Sequence, residues 1–171
     1  RKNKRGSRFC PETLYIEREV KDTAFSLRIL NRFVQAKVVF INSLDEYVKE
    51  TVKSHSVSSY NMRARHLFII KERFDFFKKC PCSKSSLGCN YHILNLGFGC
   101  IYECSYCFLQ LYANSPGIII PANIEDFLDA FKGYLRKFKR QIFRIGTGEF
   151  TDSLALDGIS GYSRYLVEFF S

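Results

Sequence analysis

Apolar positions along the chain fall into short runs separated by amphipathic stretches, and their spacing switches repeatedly between period two and period 3.6. Thr13 to Glu17 predicts a strand, Thr23 to Val34 a helix, and Lys37-Val38-Val39-Phe40-Ile41 a short apolar strand of the buried type. Ser43 opens a helix, since Ser43-Leu44-Asp45-Glu46 fits a capping box in which the serine oxygen takes a backbone N–H and the glutamate reaches back. Lys53 to Arg65 is polar, serine-rich and basic and reads as a loop; His66 to Ile70 is a third strand. This order predicts a small parallel α/β domain over residues 1–90.

A second unit is expected over residues 91–171. Ile93 to Leu96 is an apolar strand, after which Gly97 and Gly99 permit a tight turn. Beyond Pro121, Asn123 is placed to cap a helix with Glu125 and Asp126 in its first turn and basic residues from Arg136 to Arg140 at its end. Ile124, Phe127, Leu128, Phe131, Leu135 and Phe138 form one apolar stripe, a core face. Gln141 to Ile145 is the next strand. A strand, a long helix and a second strand make a right-handed crossover, so the two strands run parallel and their C-terminal ends share one side. Tyr162 to Phe170 is apolar, aromatic and helical in character.

Between the predicted strand and helix lies Cys100-Ile-Tyr-Glu-Cys104-Ser-Tyr-Cys107, a C-x3-C-x2-C spacing. Thiolates are soft ligands suited to iron–sulfur clusters or zinc, and three on one turn can hold three corners of a 4Fe–4S cubane, leaving one iron open to a reacting ligand. With Tyr106 before the last cysteine, the motif resembles that of the radical S-adenosylmethionine enzymes. Gly146-Thr147-Gly148-Glu149, one strand and helix later, is similar to that family's glycine-glycine-glutamate motif. The resemblance implies a partial (β/α) barrel of which this chain holds the start, the small α/β domain preceding it. It also implies a cluster on Cys100, Cys104 and Cys107 whose open iron chelates S-adenosylmethionine, and reductive cleavage to a 5′-deoxyadenosyl radical. Tyr106 is then expected beside the adenine, Gly148 and Glu149 at the methionyl amino group, and Thr151 and Asp152 at the mouth, where they also suit capping of the next segment. An electron donor such as flavodoxin or ferredoxin is implied as partner.

Cys104-Ser-Tyr106-Cys107-Phe108-Leu109-Gln110, Asn123-Ile124-Glu125 and Phe150-Thr151-Asp152 narrow the resemblance to spore photoproduct lyase and its relatives. Those enzymes reverse a thymine dimer in DNA, and a lesion must leave the base stack to reach such a radical. Two positions depart from the pattern: the place of the lyase's hydrogen-donating cysteine falls at Glu149, and its tyrosine after the third cluster cysteine is Phe108. Hydrogen return then needs another donor, for which Cys80, Cys82 and Cys89 are candidates.

Composition and charge refine the picture. At 46% hydrophobic and 16% aromatic residues the chain can bury a core. No apolar run approaches the roughly 20 residues that span a bilayer, and the expectation is a cytoplasmic protein without membrane contact. Seven cysteines, an odd number in tight clusters, favour reduced metal-binding thiols over disulfides. The chain does not begin with Met and holds two strand–helix units after Tyr91, so it is read as an N-terminal fragment with a truncated barrel.

Residues 1–90 carry 19 Lys or Arg against 9 Asp or Glu, while residues 91–171 are nearly neutral. A basic N-terminal half fits a DNA partner, because Lys and Arg gain affinity by displacing counterions from phosphates; five of those charges sit in the tail Arg1 to Arg8. Tyr60, Arg63 and Arg65 of the polar loop are candidates for the phosphate backbone. Cys80, Cys82 and Cys89, with His92, could instead complete a structural zinc site. Cys10 reads as a buried or incidental thiol, and His55 and His66 are assigned no role. Two other readings stay open: a radical enzyme acting on a non-nucleic substrate, and a zinc- or cluster-stabilised nucleic-acid-binding module without catalysis.

Overall fold

The computed structural model describes residues 9–53, 65–73, 77–82, 90–102, 104–109, 115–138 and 141–171. Its first sheet grows from β1 (Thr13–Glu17), β2 (Lys37–Ile41) and β3 (His66–Ile70), connected through α1 (Ala24–Arg32) and onward from α2 (Leu44–Lys53). All pairings are parallel, as crossover connections through helices require, and β1 lies between β2 and β3. A fourth strand, β6 (Ile118–Pro121), adds to β3 in parallel with Leu67 opposite Ile118. No strand was expected there. Three isoleucines suit a buried strand, and Pro121, which has no N–H, is tolerated because β6 is an edge.

The period-two alternation sorts the sheet into two packed faces. Leu14, Ile16, Leu67, Ile69, Ile118 and Ile120 face one core with Ile29, Phe127, Phe131 and Tyr162. Phe68, Ile70, Ile41 and Ile119 face a second with Tyr15, Leu44 and Tyr47. Strand β3 is buried on both sides, but β2 is not: Val38 and Phe40 are exposed. The reading of Lys37 to Ile41 as a buried strand is corrected by its place at the sheet edge.

The helix starts also differ from expectation. Ser43 Oγ accepts the Glu46 N–H at 3.2 Å, as the capping box requires, and Leu44 N–H donates to Glu17 Oε1 at 2.9 Å. Glu17, only 2% exposed, takes the Lys71 N–H at 2.9 Å on its other oxygen. An internal carboxylate thus joins the end of β1, the start of α2 and the residue after β3. Asn123 sits at the cap position of α3 (Ile124–Lys137) without capping it. Its amide instead exchanges hydrogen bonds with the Glu72 backbone at 3.0 and 2.9 Å. Of the expected stripe, Ile124, Phe127 and Phe131 are buried, whereas Phe138 follows the last turn and is exposed.

The second sheet has the order β4 (Phe77–Lys79), β5 (Tyr91–Leu94), β7 (Arg144–Gly146). As the crossover argument predicts, β5 and β7 are parallel, Ile93 opposite Gly146; β5 lies two residues before its predicted span, and β7 starts three residues later and ends one later than predicted. Strand β4 is antiparallel to β5. Short helices α4 (Asp157–Ser160) and α5 (Tyr162–Phe170) follow. Leu94 and Leu156 belong to the same core as Leu14 and Phe127, so apolar packing is continuous between the two sheets.

Candidate active site

The cysteine loop leaves the C-terminal end of β5, and Thr147 to Glu149 leave that of β7. Parallel pairing puts both exits on one side, and the backbone then ties them together. Gly99 N–H donates to the Phe150 carbonyl at 3.0 Å, and the rings of Phe98 and Phe150 stack with centroids 5.0 Å apart. Phe98 also exchanges two hydrogen bonds with Ile119, at 3.0 and 2.9 Å, which anchors the root of the loop to the four-stranded sheet. Gly99 has φ of +78°, a left-handed conformation that a side chain would strain.

Cys100, Cys104 and Cys107 are half-buried and not joined in disulfides. Cys107 N–H bonds the Cys104 carbonyl at 2.9 Å, a tight turn holding the last two on one bend. Among the described residues, no three His, Cys, Asp or Glu side chains already form a metal-holding group. Ligation would therefore have to draw the thiols together, coupling metal binding to local folding. The donor set itself suits an iron–sulfur cluster: three thiolates within eight residues, on a loop whose root is fixed. Tyr106 is 90% exposed, its ring packed on little of the loop. Glu103 and Gln110 lie outside the described residues.

Glu149 lies on the other exit, next to the Phe150 that bonds Gly99. Its buried Oε2 is ion-paired with Lys78 Nζ at 2.8 Å. The same ammonium lies 4.8 Å from the Phe150 ring centroid. A carboxylate that already holds one ammonium is chemically suited to a second cationic partner, since each of its oxygens has more than one acceptor site. Lys78 is a site residue that the sequence reading missed, because Phe77-Lys78-Lys79 carries too little apolar pattern to be read as a strand.

The two glycines of the segment serve different ends. A Cβ at Gly146 would lie 1.5 Å from the Tyr91 hydroxyl, so this glycine admits the tyrosine ring rather than a ligand. At Gly148 a Cβ would meet only ordinary contacts, 3.4 Å from Ser153 Oγ and from the Thr151 carbonyl. Thr151 is buried, and Asp152 Oδ1 accepts the Leu154 N–H at 3.0 Å, the capping alternative for that side chain.

The remaining cysteines and histidines sit elsewhere. Cys80 N–H bonds the Tyr91 carbonyl at 2.8 Å, at the beginning of β5, while the cluster loop leaves its far end, about 10 Å along the strand. Cys80 and Cys82 therefore do not flank the cysteine loop. His92 is fully buried, stacked on Phe77 with centroids 5.1 Å apart and with Nε2 3.3 Å from the Tyr134 hydroxyl. That aromatic enclosure removes it from a zinc site with Cys80 and Cys82. Cys10 is exposed rather than buried, and His66 packs edge-on against Tyr15. Cys89, His55, Tyr60 and Arg63 lie outside the described residues. Arg65 pairs with Glu12 at 3.1 Å, and no helix is long and apolar enough to cross a membrane among the described residues.

Known proteins share this arrangement. A search of curated proteins finds no match. Among solved structures, a spore photoproduct lyase complexed with dinucleoside spore photoproduct is 20% identical, with a TM-score of 0.72 over 94% of this chain and 46% of its own. A doubly mutated spore photoproduct lyase with bound AdoMet and dinucleoside spore photoproduct is 21% identical, with the same TM-score and coverage. A tyrosine-to-phenylalanine mutant of spore photoproduct lyase is 23% identical, with a TM-score of 0.71 and again 94% and 46% coverage. The chain thus spans about half the length of the enzymes it resembles, and at such identities the likeness shows the fold. The family profile described as spore photoproduct lyase matches residues 9–171, nearly the whole sequence. By its sequence as well as its fold, the chain belongs to the spore photoproduct lyase family.

Proposed function

We propose that this chain forms the cofactor-binding part of a radical S-adenosylmethionine enzyme acting on damaged nucleic acid. The observation that carries the reading is the junction of the two strand exits: the Gly99 to Phe150 hydrogen bond, which sets the cysteine loop beside Glu149. In this reading residues 91–171 begin a (β/α) barrel and residues 1–90 precede it as a basic domain. Cys100, Cys104 and Cys107 hold a 4Fe–4S cluster. With S-adenosylmethionine bound, such a cluster supplies a 5′-deoxyadenosyl radical by reductive cleavage.

The chain's own residues bind and orient. Glu149 receives the methionyl ammonium on its carboxylate, which it shares with Lys78, and Gly148 leaves the backbone bare beside it. The exposed ring of Tyr106 is free to turn onto the adenine, with Thr151 and Asp152 shaping the segment at the mouth. A nucleic-acid substrate is supported by the family's solved complexes with a dinucleoside lesion and by the formal net charge of +9. Hydrogen return is not assigned to Cys80 or Cys82, which lie by the opposite end of β5.

The test is release of 5′-deoxyadenosine from S-adenosylmethionine by the anaerobically reconstituted, reduced protein. Release that is lost in Cys104→Ala and reduced in Glu149→Gln supports the reading. A protein that takes up iron and sulfide yet releases none contradicts it.

A further inference from the structure

Among the described residues five cations have a carboxylate partner: Lys21 pairs with Asp22, Arg65 with Glu12, Lys71 and Arg73 with Glu19, and Lys78 with Glu149. Of the cations outside these pairs, Arg28, Arg32 and Arg164 are gathered in one place. They line one cleft of about 570 Å³ between α1 and the α4–α5 turn, and among the described residues none of them forms an ion pair.

Three features make this cleft more than a solvated charge cluster. Arg28 and Arg32 are one turn apart on α1 and project from the same side of the helix. Their guanidinium carbons lie 5.2 and 5.7 Å from the ring centroids of Phe25 and Phe33, and Arg28 spends one N–H on the Ser160 carbonyl at 2.7 Å. The forks are therefore oriented before any ligand arrives. Next, one of the two acids on the wall is already engaged: both Asp157 oxygens accept from Ser163, at 2.8 Å from its N–H and 2.7 Å from its hydroxyl. Glu168 is the other acid on the wall. Finally, Gly158 leaves that wall without a side chain, and a Cβ there would meet nothing within 4 Å.

We propose that the cleft of Arg28, Arg32 and Arg164 is a docking site for the phosphodiester backbone of a nucleic acid. Planar guanidinium forks without carboxylate partners match phosphate oxygens in pairs, and three of them on two helices match successive phosphates better than one isolated anion. The site reaches beyond the basic N-terminal half, since Arg164 comes from α5. Choosing nucleic acid as the polyanion rests on the proposed function.

The test is binding of a short fluorescent DNA duplex to the intact protein, measured by anisotropy across a salt series. The principal variant is Arg32→Gln/Arg164→Gln, which removes no described hydrogen bond; Lys132→Gln/Lys137→Gln on α3 removes the same charge elsewhere. The arginine variant is expected to bind on the order of tenfold to a hundredfold more weakly near 0.1 M salt, with a slope of log K on log salt smaller by about 2. The lysine variant is expected to stay within about twofold, and its unchanged thermal melt and that of the arginine variant would exclude misfolding. Equal affinity and slope in the arginine variant and the parent overturn the cleft while leaving a nucleic-acid substrate intact. Failure of the parent protein to bind DNA overturns both. Inorganic phosphate that competes at equal phosphate concentration would also overturn the proposal, because it would mark a site for single anions.

Discussion

In the four-stranded sheet the buried carboxylate of Glu17 has both oxygens occupied by backbone N–H groups, with Arg73 Nη1 3.9 Å away. In the three-stranded sheet the buried oxygen of Glu149 is held by a side chain instead, the Lys78 ammonium 2.8 Å away. Glu17 closes β1 and Glu149 stands three residues past β7, so both carboxylates lie at the C-terminal end of a parallel strand, where α/β proteins place their ligands. The first sheet has filled that position from within, using a helix N-terminus and its own glutamate. The second has filled it with a lysine side chain that can be exchanged. Chemistry is expected where a side chain rather than the backbone holds the carboxylate, and the backbone-locked site acts as a rigid footing for it.

The sharpest way to break this contrast is Glu17→Ala, which strands two buried N–H groups in the first sheet. A loss of about 3 kcal/mol in urea unfolding is expected, with Glu149→Ala costing much less. Similar costs at the two sites would erase the distinction. Raising the pH probes the same footing through Tyr162, whose hydroxyl donates to the Pro121 carbonyl. Burial, reinforced by the charge of Glu125, pushes this phenol well above its ordinary value. A raised value means stability fully present below pH of about 10 and lost as pH rises above it, by up to about 1.4 kcal/mol per pH unit. Tyr162→Phe should flatten that fall in alkaline melts.

Smaller effects belong to the three-stranded sheet. Gly146→Ala forces the Tyr91 ring aside and should cost about 1–2 kcal/mol. In a Tyr91→Ala background the cost should shrink, and additive costs in the double-mutant cycle would show that the glycine is there for another reason. Lys78→Met should change stability by only about 1 kcal/mol, yet it should measurably alter S-adenosylmethionine affinity in equilibrium binding. An unchanged affinity would separate the Lys78–Glu149 pair from the site.

Much of the framework is legible in the amino-acid sequence because it is locally encoded. Thr13 to Glu17, His66 to Ile70 and Tyr162 to Phe170 appear with their predicted limits, each bounded by polar residues or glycine. Ile118 to Pro121 is obscure for the opposite reason: its partner is β3, some fifty residues earlier, and Pro121 argues locally against a strand. The cysteine triad is readable because ligand spacing is itself a sequence property. Lys78 is not, since only the antiparallel turn of β4 against β5 carries it to Glu149. The role of Gly146 likewise depends on a ring across the sheet, and the arginine cleft on two helices far apart in the chain.

The most direct measurement is electron paramagnetic resonance of the anaerobically reconstituted, reduced full-length protein, with and without S-adenosylmethionine and with Cys104→Ala as control. The open-iron account predicts a reduced 4Fe–4S signal that shifts when S-adenosylmethionine is added and is absent from the variant. A cluster signal indifferent to S-adenosylmethionine, or zinc in place of iron, would contradict it and would make the cysteine loop a structural device.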